Sequence, residues 1–224
     1  MSVQDRRDRE REHRRQTILD AAENLYVSKG ASVTMDEIAF AAEVAKGTLY
    51  LYFASKEDLW LSLISKALGM LEHRFRDAVA EAASTVDAVK GIGMAYVAFA
   101  RDHTNMFRLL LDSTSLLSHG EATPAIMEDV ARRSDALWSV LTDVLQRGID
   151  AGTLRDDINA FEMAIMFWNN TSSLLRLMDV SARGDFRRQE QATHSLDRLD
   201  FLRLIDVSNQ LLLDALQKHG PAAA

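Results

Sequence analysis

The stretch Thr34–Trp60, TMDEIAFAAEVAKGTLYLYFASKEDLW, writes two short helices and the start of a third into consecutive residues. Thr34 followed three positions later by Glu37 is a capping box, in which the hydroxyl accepts an orphan backbone N–H and the carboxylate reaches back to the cap. A helix therefore begins there. Ile38, Ala39, Ala41 and Ala42 give it a small apolar face, Glu43 and Val44 fit a tight turn, and Ala45–Tyr50 opens a second helix whose Leu49 and Phe53 can pack back. That is helix-turn-helix spacing. Along the second helix Lys46, Gly47, Thr48, Tyr50 and Tyr52 offer a cation, bare backbone, a hydroxyl and two phenols. Such groups suit phosphate oxygens and base edges in a major groove, and a plain three-helix core has no need of them together.

From Thr34 to Leu59 the residues Thr34, AKGTLY at 45–50, Tyr52-Phe53 and SKEDL at 55–59 resemble the pattern of the TetR family of bacterial transcriptional regulators. The resemblance implies that Lys46, Thr48, Tyr50, Tyr52 and Lys56 face DNA, with Gly47 allowing close approach and Thr34 near a phosphate. Three positions depart from the pattern. Glu43 stands where the family often has Gly in the turn, Ala45 where it often has a Ser cap, and Leu51 where an aromatic is common between the two tyrosines.

A chain of 224 residues with 47% hydrophobic content can bury a sizeable core. The absence of Cys removes disulfides, thiolate metal sites and cysteine nucleophiles, and fits a reducing cytoplasm. No apolar run is long enough to span a bilayer, and no apolar signal segment follows the charged N-terminus, so a cytoplasmic protein is expected. Net charge is −7, yet residues 1–56 hold nine basic and nine acidic residues, leaving 17 basic and 24 acidic residues for the rest. A neutral reader on an acidic body binds polyanions through a few placed cations, with a modest salt dependence.

Met1–Arg15 carries six Arg and four acids without apolar periodicity and reads as an arm that frays, a solvated tail or a phosphate-tracking segment. Helical spacing starts at Gln16 and stops at Lys29-Gly30. Ser55, followed by Lys56, Glu57 and Asp58, caps a fourth helix reaching about Ala82. Further helices are predicted from Thr85 to His103, from Asn105 to Ser115, from Thr123-Pro124 to Gly152, from Asn159 to Val180, and from Leu199 to Lys218. Asp156-Asp157 reads as an acidic helix start, Ser181–Asp197 as a polar loop, and Gly220-Pro221 as the last stop.

No catalytic set emerges. The six histidines show no H-E-x-x-H spacing, no nucleophile elbow or phosphate loop is present, and neither a metal nor a cofactor is expected. Phe107, Trp138, Met166, Trp168 and Asn169 are candidate walls of a mostly apolar ligand cavity. Asn169-Asn170-Thr171-Ser172 must find polar partners, in a neighbouring helix, a ligand or a facing subunit. The expected fold is all-α with about nine helices. Residues 1–56 form a three-helix DNA-binding domain with its motif at 34–53, and 57–224 a larger ligand-binding and dimerisation domain. The resemblance implies a homodimeric regulator, a repressor released from a double-stranded operator by a small apolar ligand, and not an enzyme. The alternative is a helical binding protein or enzyme using the body cavity, with the helix-turn-helix incidental. The two part on whether the chain forms a sequence-specific DNA complex.

Overall fold

Helix α1 runs unbroken over Val3–Lys29, so the Arg-rich segment expected to fray is the first half of a helix. The cause is local. Arg, Glu and Gln are good helix formers, and neighbours one turn apart support one another: Gln4 donates to Asp8 at 3.1 Å, and Arg9 Nε to the Asp5 carbonyl at 3.2 Å. Residues 4–14 are exposed throughout, which is why apolar periodicity gives no sign of this helix.

The computed structural model describes residues 3–113, 122–183 and 199–217, and among them the chain forms nine α-helices and no strand. After α1 come α2 (Met35–Ala41), α3 (Lys46–Tyr52), α4 (Lys56–Ala80), α5 (Thr85–Asp102), α6 (Thr104–Leu111), α7 (Pro124–Asp150), α8 (Ala160–Ala182) and α9 (Phe201–Leu216). The chain divides into two compact units, Met1–Met70 with His103–Ser134, and Leu71–Asp102 with Asp135–Ala224. Helices α4 and α7 contribute residues to both.

In the first unit α1 packs on α2 and α6, and α2 on α3. Ile18, Leu19 and Ala22 of α1, Ile38 of α2, Leu49 of α3 and Leu59 and Leu63 of α4 are buried, as the apolar spacing requires. Tyr26 meets Trp60 edge-on at 5.4 Å and donates its hydroxyl to Asp112 at 2.7 Å. Burial, with that hydrogen bond, pushes the phenol well above its ordinary range. The buried Asp58 accepts from the Thr123 backbone N–H at 2.8 Å and from the Thr123 hydroxyl at 3.2 Å, tying the start of α4 to the start of α7.

In the second unit the packed helices are α5, α8 and α9 with the remainders of α4 and α7, and α9 lies against both α8 and α5. Ser84, one residue before the expected Thr85, caps α5: its Oγ accepts from Asp87 N at 3.1 Å. Asn159 and Glu162 form a second capping box, at 2.9 and 3.2 Å, while Asp157 pairs with Arg155 rather than serving the α8 terminus. A Cβ on Gly91 would lie 3.3 Å from the Ala78 Cβ, so a bare backbone is what lets α5 approach α4 there. The expected loop at 181–197 and stop at Gly220-Pro221 fall largely or wholly outside the described residues.

Candidate nucleic-acid interface and ligand cavity

The motif begins with the box that its sequence announces. Thr34 Oγ1 accepts from Glu37 N at 3.3 Å, and the Glu37 carboxylate accepts from Thr34 N at 2.8 Å. Lys29 also donates to Glu37; that contact, and then the Thr34 N–H, hold the carboxyl down at about 2. Helix α2 ends in a Schellman turn: Glu43 N donates to the Phe40 carbonyl at 3.1 Å and Val44 N to the Ala39 carbonyl at 3.0 Å. The residue this turn places in the left-handed region, at φ 54°, is Glu43, where glycine is the usual occupant. Ala45 then enters α3 in extended conformation with no side-chain cap.

Leu49 and Phe53 anchor α3, being 0% and 2% exposed, and the Arg15 guanidinium of α1 sits 5.3 Å over the Phe53 ring. Of the seven expected DNA-facing residues, Thr34, Lys46, Gly47 and Tyr50 are exposed, and Thr48, Tyr52 and Lys56 are half-buried. Lys46 donates to Asp36 of α2 at 2.7 Å, and this hydrogen bond raises its pKa. A Cβ built on Gly47 meets nothing within 4 Å, so no packing inside the protein requires glycine there. Leu51, 77% exposed, stands on the same outward side and was absent from the sequence-derived set. Helical geometry, at about 100° per residue, puts it nearly opposite the buried Leu49, a signal that was available.

The second unit holds an aromatic cluster. Tyr96 stacks on Trp168 at 4.6 Å, and Trp138 contacts Trp168 at 5.3 Å and Phe161 at 5.7 Å. Beside it lies a void of about 30 Å³ lined by Phe75, Ile92, Tyr96, Phe167, Trp168 and Asn209 among others. This is room for a water or two. Of the five expected ligand residues, Trp138 and Trp168 come together here. Met166 and Asn169 instead line an open groove with Ser208, Leu211 and Leu212, and Phe107 belongs to the core of the first unit.

The polar run of α8 finds its partners in neighbouring helices. Asn170 donates to Asn209 at 2.9 Å and accepts from Ser208 at 2.8 Å, Thr171 and Asn209 are 3.2 Å apart, and the Tyr96 hydroxyl lies 3.1 Å from Ser172. Burial drives the Tyr96 phenol up to about 12, against the pull of Ser172. Among the described residues no group of three or more His, Asp or Glu could hold a metal ion, and no helix is long and apolar enough to cross a membrane.

Comparison with known proteins bears on the first unit most directly. The sequence model of the family described as bacterial regulatory proteins, tetR family, matches residues 18–63. The HTH-type transcriptional repressor KstR2 of Mycobacterium tuberculosis is 29% identical over 147 residues, 65% of this chain and 72% of that one. The fatty acid metabolism regulator protein of Bacillus subtilis is 25% identical over 144 residues, 63% of this chain and 71% of its own. In fold, the chain resembles the transcriptional regulator FadR from Bacillus subtilis in complex with stearoyl-CoA, with TM-score 0.68, 20% identity and coverage of 90% and 98%. It likewise resembles the ketosteroid transcriptional regulator KstR2 of Mycobacterium tuberculosis, with TM-score 0.64, 22% identity and coverage of 92% and 96%. A boxed helix, a left-handed turn and a short outward helix, all inside residues 18–63, are thus the local chemistry of a TetR-family N-terminal domain, and the chain resembles that family's transcriptional regulators along most of its length.

Proposed function

We propose that the chain is a homodimeric repressor that reads its operator with residues 34–56 and leaves it when a largely apolar small molecule enters the second unit. In this reading residues 1–56 are the DNA-binding domain and 57–224 the ligand-binding and dimerisation domain. The observation that carries it is the outward face of α3, where Lys46, Gly47 and Tyr50 are exposed on a helix held from behind by Leu49 and Phe53. Thr34, Thr48, Tyr52 and Lys56 border that face as phosphate and sugar contacts. The test is binding to the DNA upstream of the chain's own gene, over a series of salt concentrations. Lys46→Ala and Tyr50→Phe should each weaken the complex roughly tenfold while leaving the unfolding midpoint unchanged, since neither side chain is buried. Parent-like binding by both variants would remove α3 from the interface.

For the ligand, Trp138 and Trp168 are the proposed wall, with the void beside Tyr96 and Asn209 as the site that widens. The acyl chain of stearoyl-CoA and the fused rings of a ketosteroid, named for structural relatives, are large apolar moieties, and this supports a ligand with such a moiety here. A void of about 30 Å³ accepts neither without rearrangement. A ligand that demands rearrangement has different affinities for the two states, and only such a difference can release DNA. For dimerisation, Leu204, Val207 and Leu211 form an exposed line at i, i+3 and i+7 of α9, and Phe161, Ile165, Met166 and Leu177 of α8 are exposed as well. Apolar area of this kind marks a protein interface, and a two-fold pair sets two reading helices about 34–36 Å apart.

A further inference from the structure

The reading helix α3 exposes one aliphatic side chain. Leu51 is 77% exposed and lies about 200° around the helix from Leu49, which is 0% exposed and faces the core. Gly47, one turn earlier on the same side, has no side chain and open space around it. The isobutyl group of Leu51 therefore projects beside bare backbone, with Thr48 and Tyr50 to either side of it around the helix. An isolated surface leucine has no meaning by exposure alone; its position at the middle of the face that meets the base edges is what matters.

A leucine can neither donate nor accept a hydrogen bond. Of all the groups on the base edges of the major groove, the thymine C5-methyl is the apolar one. Against any other edge Leu51 would strip water from a donor or acceptor and return nothing, which is a penalty. Resting on the DNA-reading assignment above, we propose that Leu51 is a specificity residue that packs on the C5-methyl of a thymine, so that each half-site carries one required T. The polar and charged groups around it hold the helix on the duplex, and Leu51 selects the base at its own position both by contact with the methyl and by the cost of covering a polar edge.

Operator sequences are to be selected from a random duplex pool with the full chain, and each thymine of the selected half-site then replaced by deoxyuridine, which removes the methyl and keeps the oxygen. The expected result is one position per half-site where this replacement weakens binding about fourfold. In Leu51→Ala that sensitivity disappears and the base preference relaxes there alone, while the salt dependence stays as in the parent because the phosphate contacts remain. Equal deoxyuridine sensitivity in parent and variant assigns the methyl to another group and overturns the proposal. So does a half-site in which no thymine is sensitive, or which contains none. Failure of the parent to select any sequence would instead sink the DNA-reading assignment itself, so the two failures are distinguishable.

Discussion

Glu43 is the only non-glycine residue with positive φ among the described residues, and it occupies the position of the α2 turn that glycine usually fills. Holding an L-residue in the left-handed region costs roughly 1–2 kcal/mol, whereas the extra freedom glycine gives the unfolded chain costs about 0.4–1 kcal/mol. Glu43→Gly should therefore stabilise the protein by about 1 kcal/mol, seen as a higher denaturant midpoint at constant slope. A midpoint at or below that of the parent would mean that the carboxylate contributes more than its backbone costs. The tight turn at Glu43 and the missing hydroxyl at Ala45 were legible because each is a statement about one residue and its immediate neighbours. The pairing of Lys46 with Asp36 was not, since it depends on how α3 lies against α2.

Elements were legible where their ends are chemical. The box that opens α2, the Ser55 cap, whose Oγ accepts from Asp58 N at 3.0 Å, and the stop at Gly152, at φ 70°, all stand in the sequence as donors, acceptors and a permissive backbone, whereas at α8 the nearby Asp156-Asp157 pair masks the Asn159–Glu162 box that opens the helix. Helix α5 shows the limit, because Ser84 and Thr85 are both able caps and only the fold decides between them. The first half of α1 was missed because propensity and side-chain pairs, not an apolar stripe, make it helical. The α2 box also carries a pH signature. Glu37 ionises at about 2 in the folded chain against an ordinary 4.5, so the unfolded chain takes up its proton first as the medium is acidified. The stabilisation that the Glu37 carboxylate provides is complete above about pH 4.5 and is lost as pH falls toward 2. Glu37→Gln cannot titrate, so the gap in stability between parent and variant should shrink across that window. A gap that stays constant from pH 6 to pH 2.5 would show that the ionised carboxylate adds nothing to the box.

At the scale of the molecule the sequence disclosed the composition of the second unit better than its arrangement. It marked the aromatic residues as wall material, but which of them share a wall depends on which helices pair. Phe107 went to one unit, the Trp138–Trp168 pair to the other, and Met166 and Asn169 to the outside. The polar run at 169–172 was rightly read as needing partners, and α9 and α5 provide them for Asn170, Thr171 and Ser172. On α9 it is Leu211, 65% exposed, that faces outward, while Leu212 is half-buried in the groove. Leu211→Glu should convert the proposed dimer to monomers in sedimentation velocity with the helical spectrum intact, and cost most of the operator affinity; an undisturbed dimer would move the interface elsewhere. Asn209, finally, belongs both to the lining of the narrow void and to the ties with Asn170 and Thr171. A molecule that enters by displacing Asn209 must wait for those ties to let go, so the helix pair behaves as a latch with its own opening frequency. In stopped-flow mixing with a compound that a thermal-shift screen shows to bind the protein, the observed rate should level off at high ligand concentration, at the rate of unlatching, and Asn170→Ala should raise that plateau.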